Sequence, residues 1–219
     1  MRYALALALS LAATTASAAL KVQHQFQSTV GRAAVRRVIV DVPAADLTIR
    51  NGAADQLAIS GTVTREPDSE RSRAGEQAIV DATSVEIYVS KEEAVLRRRF
   101  GAEAQSWRAS NFSNYKLTLD LPPDVDLDIL TTTGAISLDG SVGNLNIDLR
   151  AGEVTLRVPK TVVKELNASA RVGEVRTRIG DEIIERQGVL PGKARYSNPN
   201  GKSVLNVHVT AGDVNVQLY

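Results

Sequence analysis

Four sets of side chains have types and spacing that could do chemistry. The densest is Arg97-Arg98-Arg99-Phe100 with Trp107-Arg108 and Phe112, which holds the single Trp and two of the three Phe of the chain. A guanidinium is a rigid fork of donors suited to carboxylate, phosphate or sulfate, and Arg and aromatic residues are enriched in binding hot spots. Arg97, Arg98, Arg99, Trp107 and Arg108 are therefore a candidate binding patch. The competing reading is that Trp107 and Phe112 only pin a long loop onto the body.

The other three sets resolve into bland roles. Asp124, Asp126 and Asp128 open like a calcium loop, but its sixth position is Ile129 instead of Gly and its twelfth is Ala135 instead of Glu. Strand alternation accounts for the same residues, with Val125, Leu127 and Ile129 turned inward. The two histidines, His24 and His208, are too far apart in sequence to imply a metal cluster or a triad. Glu153, Glu174 and Asp213 recur at one register and could form the carboxylate set of a polysaccharide-cleaving enzyme. Each has a nearby cation in Arg150 or Arg171, however, and a paired carboxylate is a poor general acid. The sequence thus predicts no catalytic residues, no cofactor and no metal.

Composition narrows the class. Lys and Arg number 26 and Asp and Glu 25, and the first 18 residues hold Arg2 but no acid, so the remainder is neutral. A neutral chain has no electrostatic reason to bind nucleic acid. Cysteine is absent, which excludes disulfides, thiolate chemistry and lipid attachment to an N-terminal Cys. Arg2, the apolar run Leu5 to Ala13 and Ala16-Ser17-Ala18 have the form of a signal peptide over residues 1–18, cleaved near Ala18. The expected location is periplasmic, secreted or at the cell surface. The apolar run is too short to span a bilayer, and no stable membrane insertion is expected; the aromatic terminal Tyr219 is too little to suggest a barrel.

What must position any site is a repeated phrase. It runs Leu127 to Gly140, Leu145 to Val158, Leu166 to Ile179 and Leu205 to Leu218, each with a central Gly: Gly134, Gly152, Gly173 and Gly212, separated by 18, 21 and 39 residues. Positions seven, five and three before the Gly are apolar except Thr131, and the intervening positions are polar except Leu130. Alternation resumes after the Gly, so each unit is strand, corner, strand with one face to bury, and no unit can bury it alone. Thr133, Ala151, Val172 and Ala211 precede the Gly, and they resist the positive φ that a tight hairpin needs there. The corner then takes negative φ followed by positive φ at Gly and splays the two strands, so that successive units stack in ladders. Asp128, Asn146, Asn167 and Asn206 share one outward register in that arrangement. The predicted fold is all-β: a single-stranded β-solenoid, parallel β-helix-like, with coils of about 20 residues in one domain over 19–219.

Val38 to Ile49 reads as an earlier, degenerate copy with Ala45 in place of Gly. Leu57 to Val63 and Val85 to Val89 alternate as strands, with a short helix near Glu70 to Asp81 between them. Ala19 to Ala34 shows no strong period and is the candidate cap for an open end. Residues 91–114 and 180–203 read as inserted loops, the second with a helical turn at Asp181 to Arg186.

The run Tyr115 to Gly140 (YKLTLDLPPDVDLDILTTTGAISLDG), with Gly143-Asn144-Leu145 and the later AGEV and AGDV corners, resembles a bacterial family of exported β-strand-repeat proteins named "putative adhesins", a domain of unknown function. The resemblance is good over Tyr115 to Val158 and looser over Val38 to Tyr219. It implies a parallel β-solenoid and an adhesive or surface-binding role. Leu121-Pro122 replaces the family's Val-Pro step, and both insertions depart from its pattern.

The expected function is therefore a non-enzymatic, exported binding or structural module whose partner is a protein or a cell-surface glycan. The alternatives are a polysaccharide-active enzyme, which needs acids converging in a groove, and an envelope-assembly component, which needs an open apolar groove.

Overall fold

The computed structural model describes residues 21–32, 35–101, 113–180, 182–184 and 191–219; the expected leader 1–18 and Trp107, Arg108 and Phe112 lie outside them. Alternation along the chain gives β1 (Val22–Gly31), β2 (Arg37–Asp41), β3 (Ala45–Asn51) and β4 (Gln56–Arg65). The helix α1 (Arg73–Asp81) is followed by β5 (Thr83–Ser90), β6 (Glu93–Phe100) and β7 (Asn114–Leu121). The repeats supply β8 (Asp126–Asp139), β9 (Leu145–Val158), β10 (Val163–Val172), β11 (Val175–Ile179) and β14 (Ser203–Leu218), with β12 (Glu182–Ile184) and β13 (Gly192–Ser197) between the last two. All of them join one 14-stranded mixed sheet, which does not close on itself.

The centre of the sheet is a parallel stack of strand–corner–strand units. β8 pairs in register with β9 from Leu127 opposite Leu145 to Asp139 opposite Arg157, Gly134 facing Gly152. β9 pairs with β14 in the same way, and β14 with β10 and β11. The degenerate copy behaves as its pattern predicts: β2 lies on the first half of β8 and β3 on the second, with Leu47 opposite Ile136. The return from one unit to the next is short, with Gly143 N donating to Val125 O and Leu127 N to Asn144 O. Inward side chains from both halves of each unit, such as Leu127, Ile129, Ile136, Leu138, Leu149 and Leu156, are buried in one core. Thr131, the polar exception, is buried too, and its Oγ1 donates to Val42 O at 3.1 Å.

Glycine is required at the corners because φ is 138° at Gly134, 143° at Gly152 and 138° at Gly212. A Cβ at Gly152 would collide with the carbonyl oxygen of Gly134 in the adjacent unit. Ala45 is tolerated in the degenerate copy because it does not share the positive φ.

Four arrangements differ from the sequence expectation. The stacking order is β8, β9, β14, β10, so the fourth repeat lies between the second and the third. Residues 91–114 are not one loop: β6 pairs with β2 in parallel and with β5 antiparallel. Residues 180–203 are not one loop with a helical turn, since Glu182–Ile184 is the extended β12 and Gly192–Ser197 is β13. The lead-in Ala19 to Ala34, which shows no strong period in sequence, contains the regular β1, which pairs with β4 over its whole length and covers that end of the core. The inserted material nevertheless has a common place. α1 links β4 to β5 at the edge where the other units turn through Gly, and β6 ends and β7 begins at the same edge.

Candidate binding face

β6 separates the three arginines by strand alternation. Arg97 and Arg99 point outward with Glu93 and Val95, while Arg98 takes an inward position after Ala94 and Leu96. Arg97 Nε lies 3.5 Å from Asp41 Oδ2. Arg99 Nη1 donates to Glu86 Oε1 at 2.5 Å, and this hydrogen bond pushes the pKa of Arg99 further up. Arg98 sits over the Phe100 ring, 5.2 Å from its centroid. It also acts on Tyr115, whose burial pushes its hydroxyl pKa up while Arg98 pulls it down. The structure therefore brings Arg97 and Arg99 to one face and removes Arg98 from it; Trp107 and Arg108 are outside the described residues.

That face carries a row that the three arginines only border. Tyr88 is opposite Val95, Val95 opposite Ile39, and Ile39 opposite Asp128. The same register continues through Asn146, Asn206 and Asn167. One line thus crosses seven strands, apolar and aromatic at one end and amide at the other, and at about 4.8 Å per strand it is about 29 Å long. Tyr88 is 47% exposed, and its hydroxyl donates to Glu86 Oε2 at 3.1 Å. Asn167 Nδ2 donates to Asn206 Oδ1 at 3.3 Å and to Glu165 Oε1 at 2.9 Å.

Arg195 on β13 lies opposite Asn167 at the amide end of the row, and beside its middle the charges are paired. Arg37 Nε donates to Asp128 Oδ2 at 2.5 Å, which raises the pKa of Arg37, and Arg37 Nη1 lies 3.7 Å from Glu93. A depression of about 500 Å³ opens beside the amide half, lined by Arg37, Asp126, Asp128, Asn144, Asn146 and Asn206 among others. Its volume falls within the range of small-molecule sites. Leu130, the apolar exception in the repeat, is 51% exposed beside Asp41 and Asp148 on the same face.

The remaining chemical sets are spread over strand faces. Asp124 accepts from Arg32 Nη2 at 2.7 Å, a bond that lowers its carboxyl pKa, and Asp126 accepts from Asn144 N at 2.6 Å. The acid row runs Glu153, Asp213, Glu174 in space. Glu153 Oε1 accepts from Asn215 Nδ2 at 2.9 Å, Asp213 Oδ1 from Glu174 N at 2.8 Å, and Glu174 Oε2 from Arg176 Nη2 at 2.5 Å. The cation at Glu174 is Arg176, not the expected Arg150 or Arg171, which lie on the opposite half of each unit. Among the described residues no group of three or more His, Cys, Asp or Glu could hold a metal ion.

One juxtaposition lies in a register that the repeats share, four residues before each Gly, and is not one of the four sets singled out from the sequence. Asp148, His208 and Ser169 are neighbours on β9, β14 and β10. Ser169 Oγ and His208 Nδ1 are 3.1 Å apart, but no ion pair joins His208 to Asp148 among the described residues. A triad needs the carboxylate on Nδ1 and the nucleophile on Nε2; here the hydroxyl occupies Nδ1, so this is a polar ladder. Of the row itself, sequence supplied the Asp and Asn register but not Tyr88, Val95 and Ile39. The available signal was Tyr88 at a polar position of an alternating strand, between Glu86 and Ser90.

No protein-family model matches the chain, and no curated protein matches it by sequence. Three solved structures resemble it at a distance. A "putative cell adhesion protein" from Clostridium sporogenes is 13% identical with a TM-score of 0.48, covering 90% of this chain and 100% of that one. A "putative adhesin" from Parabacteroides merdae is 10% identical with a TM-score of 0.31, over 89% and 81% of the two chains. A "putative lipid binding protein" from Parabacteroides distasonis is 9% identical with a TM-score of 0.25, over 90% and 97%. Likeness this distant carries no functional argument. Among the described residues, no helix is long and apolar enough to cross a membrane.

Proposed function

We propose that this chain is an exported, non-enzymatic binding module, adhesin-like and built as a β-solenoid, that holds a cell-surface glycan along the Tyr88 to Asn167 row. The in-register stacking of the repeats supports the solenoid, because each unit lies directly on its neighbour through both of its strands. The observation that carries the function is the row itself. An exposed aromatic ring supplies a stacking surface, the amides of Asn146, Asn206 and Asn167 supply both donors and acceptors, and Arg37 and Arg97 beside the row are already paired with Asp128 and Asp41. That combination suits an uncharged, polyhydroxylated chain lying across the strands. The acids Glu153, Asp213 and Glu174 are each hydrogen-bonded on an outward strand face, which favours binding over glycoside cleavage, a reaction that needs two carboxyl groups flanking one bond.

The test is binding of the purified protein to a panel of bacterial and host glycans and envelope fractions, beside Tyr88→Ser and the pair Asn146→Ala with Asn206→Ala. Each change is expected to weaken glycan binding by roughly tenfold or more, about 1.4 kcal/mol. Wild-type binding to protein fractions alone, or glycan binding that both variants retain, would remove the proposal.

A further inference from the structure

Among the described residues the terminal strands of the sheet are β1, β5, β12 and β13, and the two that end its longest run, β1 and β13, are finished differently. At one end β13 is short, and it turns the charged, exposed Lys193 and Arg195 outward. Such charges on a terminal strand discourage pairing with another chain. At the other end β1 is ten residues long and pairs regularly with β4, yet from Gln25 to Gly31 it carries no charge and no Pro. Among the described residues no strand pairs with its outer edge. α1 blocks only the beginning, where Gln77 Nε2 donates to Gln23 O at 3.2 Å and Asp81 lies 3.7 Å from His24. Phe26 and Val30 pack on the core but remain half-exposed.

We propose that the free edge of β1 pairs with β1 of a second copy, antiparallel about a two-fold axis at Ser28. In this register Phe26 faces Val30 of the other copy, Gln27 faces Thr29, and Gln25 faces Gly31. Residues of like orientation meet, so both half-exposed apolar side chains gain an aromatic–β-branched partner on the core side. The outer side opposes only amide and hydroxyl groups. No like charges meet, which makes the segment self-complementary as an isologous interface must be. The ladder uses the stretch that α1 leaves open. An isologous pairing uses β1 of both copies, so the assembly stops at two.

Sedimentation of the purified chain over a wide concentration range tests this, with two double variants checked for folding by circular dichroism. Gln27→Lys with Thr29→Lys sets Lys against Lys twice across the axis, and Gln27→Lys with Thr29→Glu sets Lys against Glu instead. The wild type is expected to form a dimer, the Lys–Lys variant to be folded with dimerisation weakened on the order of tenfold, and the Lys–Glu variant to dimerise again. A wild type that stays monomeric throughout, assembly beyond two copies, or a dimer indifferent to the Lys–Lys change would overturn the proposal. Loss of the dimer in both variants would overturn this register.

Discussion

Gly152 shows how much a single residue decides in this chain. It has φ of 143°, and its missing Cβ leaves room for the carbonyl of Gly134 one unit away. Gly152→Ala therefore meets both a strained backbone and a backbone collision, and is expected to destabilise by more than about 2 kcal/mol in a urea melt. Gly75 in α1 is the contrast: nothing lies within 4 Å of its added Cβ. Gly75→Ala should stabilise by about 0.5 kcal/mol in the same experiment. The corner glycines were legible in the sequence because only Gly accepts that φ without strain, and a requirement so narrow leaves the same letter in every clean copy. Tyr88, Val95 and Ile39 were not legible as a row, because each belongs to a different strand and no local pattern says which strands are neighbours. Leu130 and Thr131 illustrate the limit within one strand. Both broke the alternation, yet one is exposed and the other is buried with its hydroxyl bonded to Val42.

At the scale of elements, periodicity revealed which segments are strands but not their order in space. β8 and β9 follow directly and stack directly, as a short return allows. After β11 the chain leaves the stack through β12 and β13, which lie antiparallel on β11 and β10, and only then enters as β14 between β9 and β10. Residues 180–202 are long enough to carry the chain past a neighbouring layer, and nothing in their composition says that they do. The arginine run misleads for another reason: Arg98 occupies an inward position, so β6 loses its alternation at the point where the strand ends. The order is open to direct measurement because the chain has no cysteine. Residues 146 and 206 are opposed on adjacent strands, whereas 146 and 167 are two strands apart, about 9.6 Å. Asn146→Cys with Asn206→Cys should therefore cross-link under mild oxidation, and Asn146→Cys with Asn167→Cys should not, since a disulfide spans Cα separations only to about 6.8 Å. The reverse result would restore sequential stacking.

For the whole molecule the relevant fact is that each layer touches little beyond the layers next to it, so local stability should follow position in the stack. β9 has in-register partners on both sides along nearly its whole length. β14 is likewise paired on both sides, while among the described residues β1 pairs with β4 alone and β13 with β10 alone. Opening β1 or β13 breaks one ladder, but opening β9 breaks two and exposes Leu149, Val154 and Leu156, all of which are buried. Native-state hydrogen exchange in dilute solution should accordingly show the slowest amides in β9 and β14, intermediate ones in β3 and β7, and the fastest strand amides in β1 and β13. Uniform protection across the sheet would mean that the layers unfold as one unit and that the stack is not quasi-one-dimensional. The gradient also separates the two ends. If β1 pairs with a second copy, protection over residues 25–31 should rise with protein concentration while that of residues 192–197 stays constant, and the Gln27→Lys/Thr29→Lys variant should exchange at the dilute wild-type rate at every concentration.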